Sequence, residues 1–127
     1  MGSKTYEQIL EFGQWPYGEK PTYVASKRDL PPAEGAELRF YDGPSSALLD
    51  EIKRESPGDI WLVGGGALAA DMLENGLIDE IKLFVMPVLL GEGVPLFSGI
   101  KETVQLILTG MTRYEAGVTS LDYTVPK

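Results

Sequence analysis

The chain has 127 residues, 43% of them hydrophobic and 24% charged, which fits a single domain over residues 1–127 with its own core. A formal net charge of −8 argues against a nucleic-acid or anionic-membrane surface, because such binding needs a basic field. The absence of cysteine and histidine excludes disulfides, thiol nucleophiles, Ser-His-Asp relays and conventional zinc sites, so we expect no metal. Without a secretory signal or an apolar run near the ~18 residues of a membrane span, a cytoplasmic location is expected.

The first predicted element is a helix over residues 5–12, with Ile9 and Phe12 on its buried face. Glycine and proline then end this helix. Two short β-rich runs follow, at residues 21–26 and 38–42, and a polar, proline-rich loop separates them. We therefore expect a helix and two strands in the first third of the chain.

A second helix is predicted to begin at Ser45 or Ser46 as its N-cap and to end at Pro57. Its buried stripe consists of three aliphatic residues, Leu48, Leu49 and Ile52. The run "DIWLV" at residues 59–63 is continuously apolar and predicts a strand buried on both faces.

The remaining chain predicts a third helix and three strands. Three glycines lead into a helix that Asn75 and Gly76 close, and the longest strand-like stretch covers residues 80–91. Two further runs, at 104–114 and 118–125, predict a β-hairpin. The order of elements is typical of an α/β layer with parallel crossovers that ends in antiparallel strands.

Three stretches are candidates for chemistry. The strongest is "DIWLVGGGALAADML", where a strand runs through Gly64–Gly66 into a helix whose first N–H groups and dipole favour an anion. The alternative is that these glycines only make a tight turn. In "ASKRD", Ser26, Lys27 and Arg28 follow a predicted strand and could hold a phosphate monoester, or could form a solvated loop.

The third candidate is Gly2–Thr5, which places backbone donors, a hydroxyl and an ammonium at the start of the first helix. Its alternative is a disordered terminus with a simple N-cap. The segment 86–97 is interpreted as architecture, with core or interface side chains. The acidic residues show no spacing that singles out an acid–base pair, so no catalytic residue is assigned.

Taken in order, these stretches resemble the dihydrofolate reductase-like fold, in the branch that includes the C-terminal reductase domain of the riboflavin-biosynthesis deaminase–reductase. The similarity runs through "MGSKTYE", "VASKRD", "IWLVGGGALAADML", "GLIDEIKLFVMPVLLGEGVPLF" and the closing hairpin. It implies a three-layer α/β sandwich with a mixed, mostly parallel sheet. It also implies an NADPH-dependent reductase that acts on a small pterin- or pyrimidine-type substrate.

The resemblance assigns cofactor-binding roles to twelve residues. It places Gly2, Ser3, Lys4 and Thr5 beneath the cofactor phosphates, and Ser26, Lys27 and Arg28 at the adenosine 2′-phosphate. It places Gly64, Gly65, Gly66, Ala67 and Leu68 at the pyrophosphate and nicotinamide side, with a cis peptide expected between Gly64 and Gly65.

Two departures from the family pattern matter. Gly64 stands where riboflavin reductases usually carry glutamate, which places the chain nearer to the stand-alone members. The family's strand, loop and helix before "GSKT", which contribute to the substrate site, are also not found in this sequence. A homodimer that covers the strands at 60–63 and 81–86 is therefore expected. The alternative function is a truncated, catalytically impaired nucleotide-binding or assembly domain.

Overall fold

The computed structural model describes residues 1–127 and contains three helices and five strands. In chain order these are α1 Ser3–Leu10, β1 Thr22–Ala25, β2 Leu38–Tyr41, α2 Ser45–Glu55, α3 Gly66–Glu74, β3 Glu80–Val85, β4 Ile107–Arg113 and β5 Thr119–Thr124. No helix is long and apolar enough to cross a membrane.

The strands form two separate sheets. β1 and β2 pair in parallel, from Thr22 opposite Leu38 to Ala25 opposite Tyr41. β3, β5 and β4 form an antiparallel sheet in that order, and the β4–β5 hairpin confirms the one predicted from the sequence. The α/β class with parallel and antiparallel strands is thus confirmed, and its parallel pairing consists of β1 with β2 and one bridge between Gly2 and Ala25.

The predicted buried strand at residues 59–63 is wrong. This segment pairs with neither sheet, and Ile60 and Trp61 are 38% and 72% exposed. β3 is hydrogen-bonded only to β5, so its other edge is also open. A run of apolar residues becomes a strand only where neighbouring strands satisfy its backbone groups, and residues 1–127 supply none beside this segment.

The bounds of three other elements differ from the predictions. α1 ends at Leu10, so Ile9 is buried as expected whereas Phe12 lies in the following turn and is 67% exposed. α2 has Pro44 as its N-cap, and Ser45 is its buried first residue. The strand predicted over 80–91 stops at Val85, two residues before a proline that cannot donate to a ladder.

The core is small and lies where helices cover the parallel strand pair. Tyr6 of α1 and Val24 of β1 are fully buried, and α1 contacts β1. Leu48 and Leu49 of α2 are buried as predicted, and α2 contacts α3. α3 buries its own apolar face, made of Ala69, Ala70, Met72 and Leu73. This packing fixes the start of α1, the start of α3 and the end of β1 relative to one another.

Candidate functional site

The N-termini of two helices meet at one corner of the molecule. Gly2 is the N-cap of α1, Gly65 is the N-cap of α3, and no side chain caps either helix. The Gly2 N–H donates to the Gly64 carbonyl at 2.7 Å, and a Cβ on Gly2 would lie 3.5 Å from the Gly65 nitrogen. Uncapped helix starts present free N–H groups and the positive ends of two dipoles. This corner therefore favours an anion.

The glycine turn packs tightly against α1 and against a later loop. A Cβ on Gly65 would lie 3.2 Å from the Thr5 hydroxyl oxygen, and Gly64 has a φ of +120°. A Cβ on Gly66 would lie only 2.8 Å from the carbonyl oxygen of Pro95. The lack of space for a Cβ, together with the positive φ of Gly64, is enough to explain why glycine occupies these positions, which agrees with the alternative that the glycines only make a tight turn. The argument for a ligand therefore rests on the uncapped helix starts.

The peptide bond between Gly64 and Gly65 is cis, as the resemblance implied. Ala67 and Leu68 follow in the first turn of α3, and the Leu68 Cβ lies 3.9 Å from a Cβ placed on Gly2.

The end of β1 adjoins the same corner. The Ala25 N–H donates to the Met1 carbonyl at 2.9 Å, and Gly2 forms a parallel bridge with Ala25. The next residue, Ser26, begins a compact turn in which its hydroxyl oxygen lies 3.0 Å from both the backbone N and O of Arg28. Backbone contacts of Gly2 with Gly64 and with Ala25 thus place the three predicted segments next to one another.

Three cationic side chains belong to these segments. Lys4 and Lys27 are exposed and form no ion pair, whereas the Arg28 guanidinium bonds the Glu7 carboxylate of α1. In a chain of net charge −8, these segments therefore contribute two unpaired cations, Lys4 and Lys27. Glu7 was missed by the sequence reasoning. Its only signal there is its position one helical turn after Ser3, on the same face of α1.

The carboxyl groups with perturbed pKa values lie elsewhere. Hydrogen bonds from Arg39 and Tyr23 lower the pKa of Glu55 at the end of α2. A hydrogen bond from Lys127 lowers the pKa of Asp79 before β3. Neither carboxyl group forms a hydrogen bond with a residue of the corner at Gly2. Both pKa values are lowered, whereas a proton donor would need a raised pKa. No group of three or more acidic side chains could hold a metal ion.

The sequence profile of the RibD C-terminal domain matches residues 11–120. The chain belongs to the RibD C-terminal domain family. The uncharacterized protein YwjB of Bacillus subtilis is 30% identical over 120 residues, which cover 93% of this chain and 68% of that protein. The uncharacterized protein YyaP of the same organism is 38% identical over 79 residues, which cover 60% of this chain. The match spans only 42% of the length of YyaP.

Solved structures show the same fold. A putative riboflavin biosynthesis protein from Shewanella sp. PV-4 superposes with a TM-score of 0.84 at 25% identity, covering 100% of this chain and 72% of that one. A pyrimidine reductase-like protein from Corynebacterium diphtheriae has a TM-score of 0.66 at 19% identity, covering 83% and 50%. Form 2 of Acinetobacter baumannii RibD has a TM-score of 0.69 at 17% identity, covering 82% and 37%.

These comparisons confirm the dihydrofolate reductase-like fold and the branch predicted from the sequence. Membership of this family supports a reductase-like function.

Proposed function

We propose that the protein is a cytoplasmic reductase that binds NADPH and serves hydride transfer to a pterin- or pyrimidine-type ring. The observation that carries this proposal is the meeting of two uncapped helix N-termini at Gly2 and Gly65. Two neighbouring helix starts suit a diphosphate, because each can supply backbone N–H donors to one phosphate group.

Each of the three segments would bind a particular phosphate group of NADPH. Gly2–Thr5 and Gly64–Leu68 would hold the pyrophosphate, since both segments contain the free N–H groups of a helix start. Ser26–Arg28 would hold the adenosine 2′-phosphate, since a phosphate monoester forms charge-assisted bonds with ammonium and guanidinium groups. The overall charge of −8 makes these local cations necessary for binding a polyanion.

When bound, NADPH supplies the hydride, and the protein's part is to bind and orient the reacting groups. The hydrogen bond from the Gly2 N–H to the Gly64 carbonyl joins the start of α1 to the turn before α3. A rigid pair of helix starts holds a dinucleotide in one register, which is the contribution that orientation makes to catalysis. The two carboxyl groups with shifted pKa values, Glu55 and Asp79, both favour the charged form, and we assign no proton donor.

Calorimetry tests the cofactor assignment. We expect NADPH to bind the wild-type protein, and the double variant Lys27→Ala/Arg28→Ala to bind it at least ~10-fold more weakly, because two charge-assisted contacts are removed. Lys20→Ala is the matched control, since Lys20 is also exposed but lies before β1. Absence of heat with NADPH, or equal weakening by Lys20→Ala, would contradict the proposal.

A second candidate function is nucleotide binding or assembly without turnover. The open edge of β3 and the exposed, unpaired segment 59–63 favour it, because both offer surface for assembly with another chain. The two functions differ in whether bound NADPH is consumed when dihydrofolate or a pyrimidine intermediate of riboflavin synthesis is added. A fall in absorbance of the reduced nicotinamide supports the reductase. Binding without any such fall, across both substrate classes, supports the second candidate.

We also propose a homodimer, on the strength of the apolar surface around the antiparallel sheet. Strand register places two cross-strand rows on one face, Ile81–Tyr123–Leu108 and Leu83–Leu121–Met111. Within these rows, Leu108 and Met111 are more than half exposed. Four apolar side chains of the segment after β3 are also more than half exposed, namely Val88, Leu89, Val94 and Leu96. Neighbouring exposed apolar side chains of this kind suit burial against a second copy of the same surface.

Light scattering measures this directly. The expected result is twice the mass of one chain at micromolar concentration. A stable monomer with a normal cooperative melting transition would contradict the dimer while leaving the nucleotide site untouched.

A further inference from the structure

One ion pair connects the proposed phosphate site to the body of α1. The Arg28 guanidinium bonds the Glu7 carboxylate, and both side chains are about half exposed, at 58% and 43%. Ser26 holds the backbone of Arg28 in the same turn. The cation that would bind a 2′-phosphate is therefore already engaged by an anion of the same molecule.

Glu7 is well placed to influence any ligand at this position. It lies one turn after Ser3 on α1, and its carboxylate bonds the guanidinium of Arg28 in the segment where the 2′-phosphate is proposed to bind. Lys27 forms no ion pair and remains available to a ligand. The local charge at the strand end is thus one free cation and one neutralised pair.

The two possible groups at the adenosine 2′ position respond to Glu7 in opposite ways. A phosphate monoester, with a charge near −2, is repelled by the carboxylate and must compete with it for Arg28. A free 2′-hydroxyl can instead donate a hydrogen bond to a carboxylate, as it does to the acidic residue of dinucleotide-binding domains. Glu7 therefore weakens binding of the phosphorylated ribose and favours the unphosphorylated one.

We propose that Glu7 is a specificity-determining residue that limits the preference of this site for a 2′-phosphorylated adenosine. The inference rests on the proposed nucleotide function and goes beyond it, because it assigns a role to a residue outside the twelve predicted ones. Its physical basis is competition for one guanidinium between a fixed carboxylate and the ligand's phosphate.

The test compares two small ligands, adenosine 2′,5′-bisphosphate and AMP, by calorimetry. Their ratio of Kd values measures the preference for the 2′-phosphate. In Glu7→Gln we expect the preference to rise on the order of 5-fold, because a partly exposed charge next to a doubly charged group has a modest effect in water. Glu11→Gln is the matched control, since it makes the same change of charge one turn further along, at an exposed residue without an ion pair.

The outcomes separate this inference from the function on which it rests. A larger preference in Glu7→Gln with less than ~2-fold change in Glu11→Gln supports the inference. An unchanged preference in Glu7→Gln, or an equal rise in both variants, overturns it while the nucleotide site stands. Failure of the wild type to bind either ligand overturns the proposed function itself.

Discussion

Two regions of the molecule both contain many apolar residues but differ in how these are packed. One is the corner where α1, β1 and α3 meet, and the other is the antiparallel sheet with the segments beside it. At the corner, Tyr6 and Val24 are fully buried and the Gly2 N–H bonds the Gly64 carbonyl. In the sheet region, β3 has one unpaired edge, residues 59–63 form no ladder, and Leu89 and Val94 are almost fully exposed. The chain therefore packs the corner within itself, whereas it leaves apolar side chains of the sheet region exposed.

The two regions would serve different parts of the proposed function. The proposed nucleotide binding would depend on the packed corner, whereas the proposed dimer would depend on the exposed sheet region. Variants in the corner should therefore change nucleotide binding and leave the dimer intact, and variants in the sheet region should do the reverse.

The largest expected effect comes from emptying the packed corner. Tyr6→Ala should lower the free energy of unfolding by about 3–5 kcal/mol, because it removes a fully buried aromatic ring. Trp61→Ala should cost below ~1 kcal/mol, because that side chain is 72% exposed and has only an edge contact with Tyr17. Denaturant titration at low protein concentration measures both. Equal losses would mean that residues 59–63 are buried within a single chain.

A smaller effect tests the contact between α3 and the later loop. Gly66→Ala should destabilise the protein by about 1–3 kcal/mol, because the new methyl group would lie 2.8 Å from the Pro95 carbonyl oxygen. Gly58→Ala is the control, since a Cβ there meets nothing within 4 Å. Thermal melts of the two variants should differ clearly. Identical melting temperatures would show that the loop at Pro95 does not pack on α3.

The smallest effect concerns pH. The pKa of Glu55 is lowered from 4.5 by hydrogen bonds from Arg39 and then Tyr23, so the folded state favours the carboxylate. The resulting stabilisation is present above pH 4.5 and is lost as the pH falls through the lower folded-state pKa. The melting temperature of Glu55→Gln should therefore lie slightly below wild type at neutral pH and approach it in acid. A difference that widens in acid would contradict this pairing.

The sequence predicts the elements that depend on local signals. Helix α3 with its closing Asn75, the parallel strands β1 and β2 and the β4–β5 hairpin follow from periodicity and turn residues. The exposure of residues 59–63 could not be predicted in this way, because an apolar run forms a strand only when other strands lie beside it. Likewise, the exposure of Phe12 depends on where α1 ends.

The candidate site was predictable in part. The motifs named the residues at the two helix starts, and the structure brings the backbones of Gly2, Gly64 and Ala25 into contact. The pairing of Glu7 with Arg28 was not predictable, because it joins residues 21 positions apart through a loop whose course is not encoded by any local pattern. Side-chain pairs across loops require the tertiary structure.

The central claim is that Gly2–Thr5, Ser26–Arg28 and Gly64–Leu68 form one phosphate-binding corner. A titration of the isotope-labelled protein with NADPH, followed through its backbone amide NMR signals, tests this most directly. The account predicts saturable shifts for the amides of all three segments, while the β4–β5 hairpin is unaffected. Shifts confined to the hairpin or to one segment, or no saturable shift at all, would contradict it.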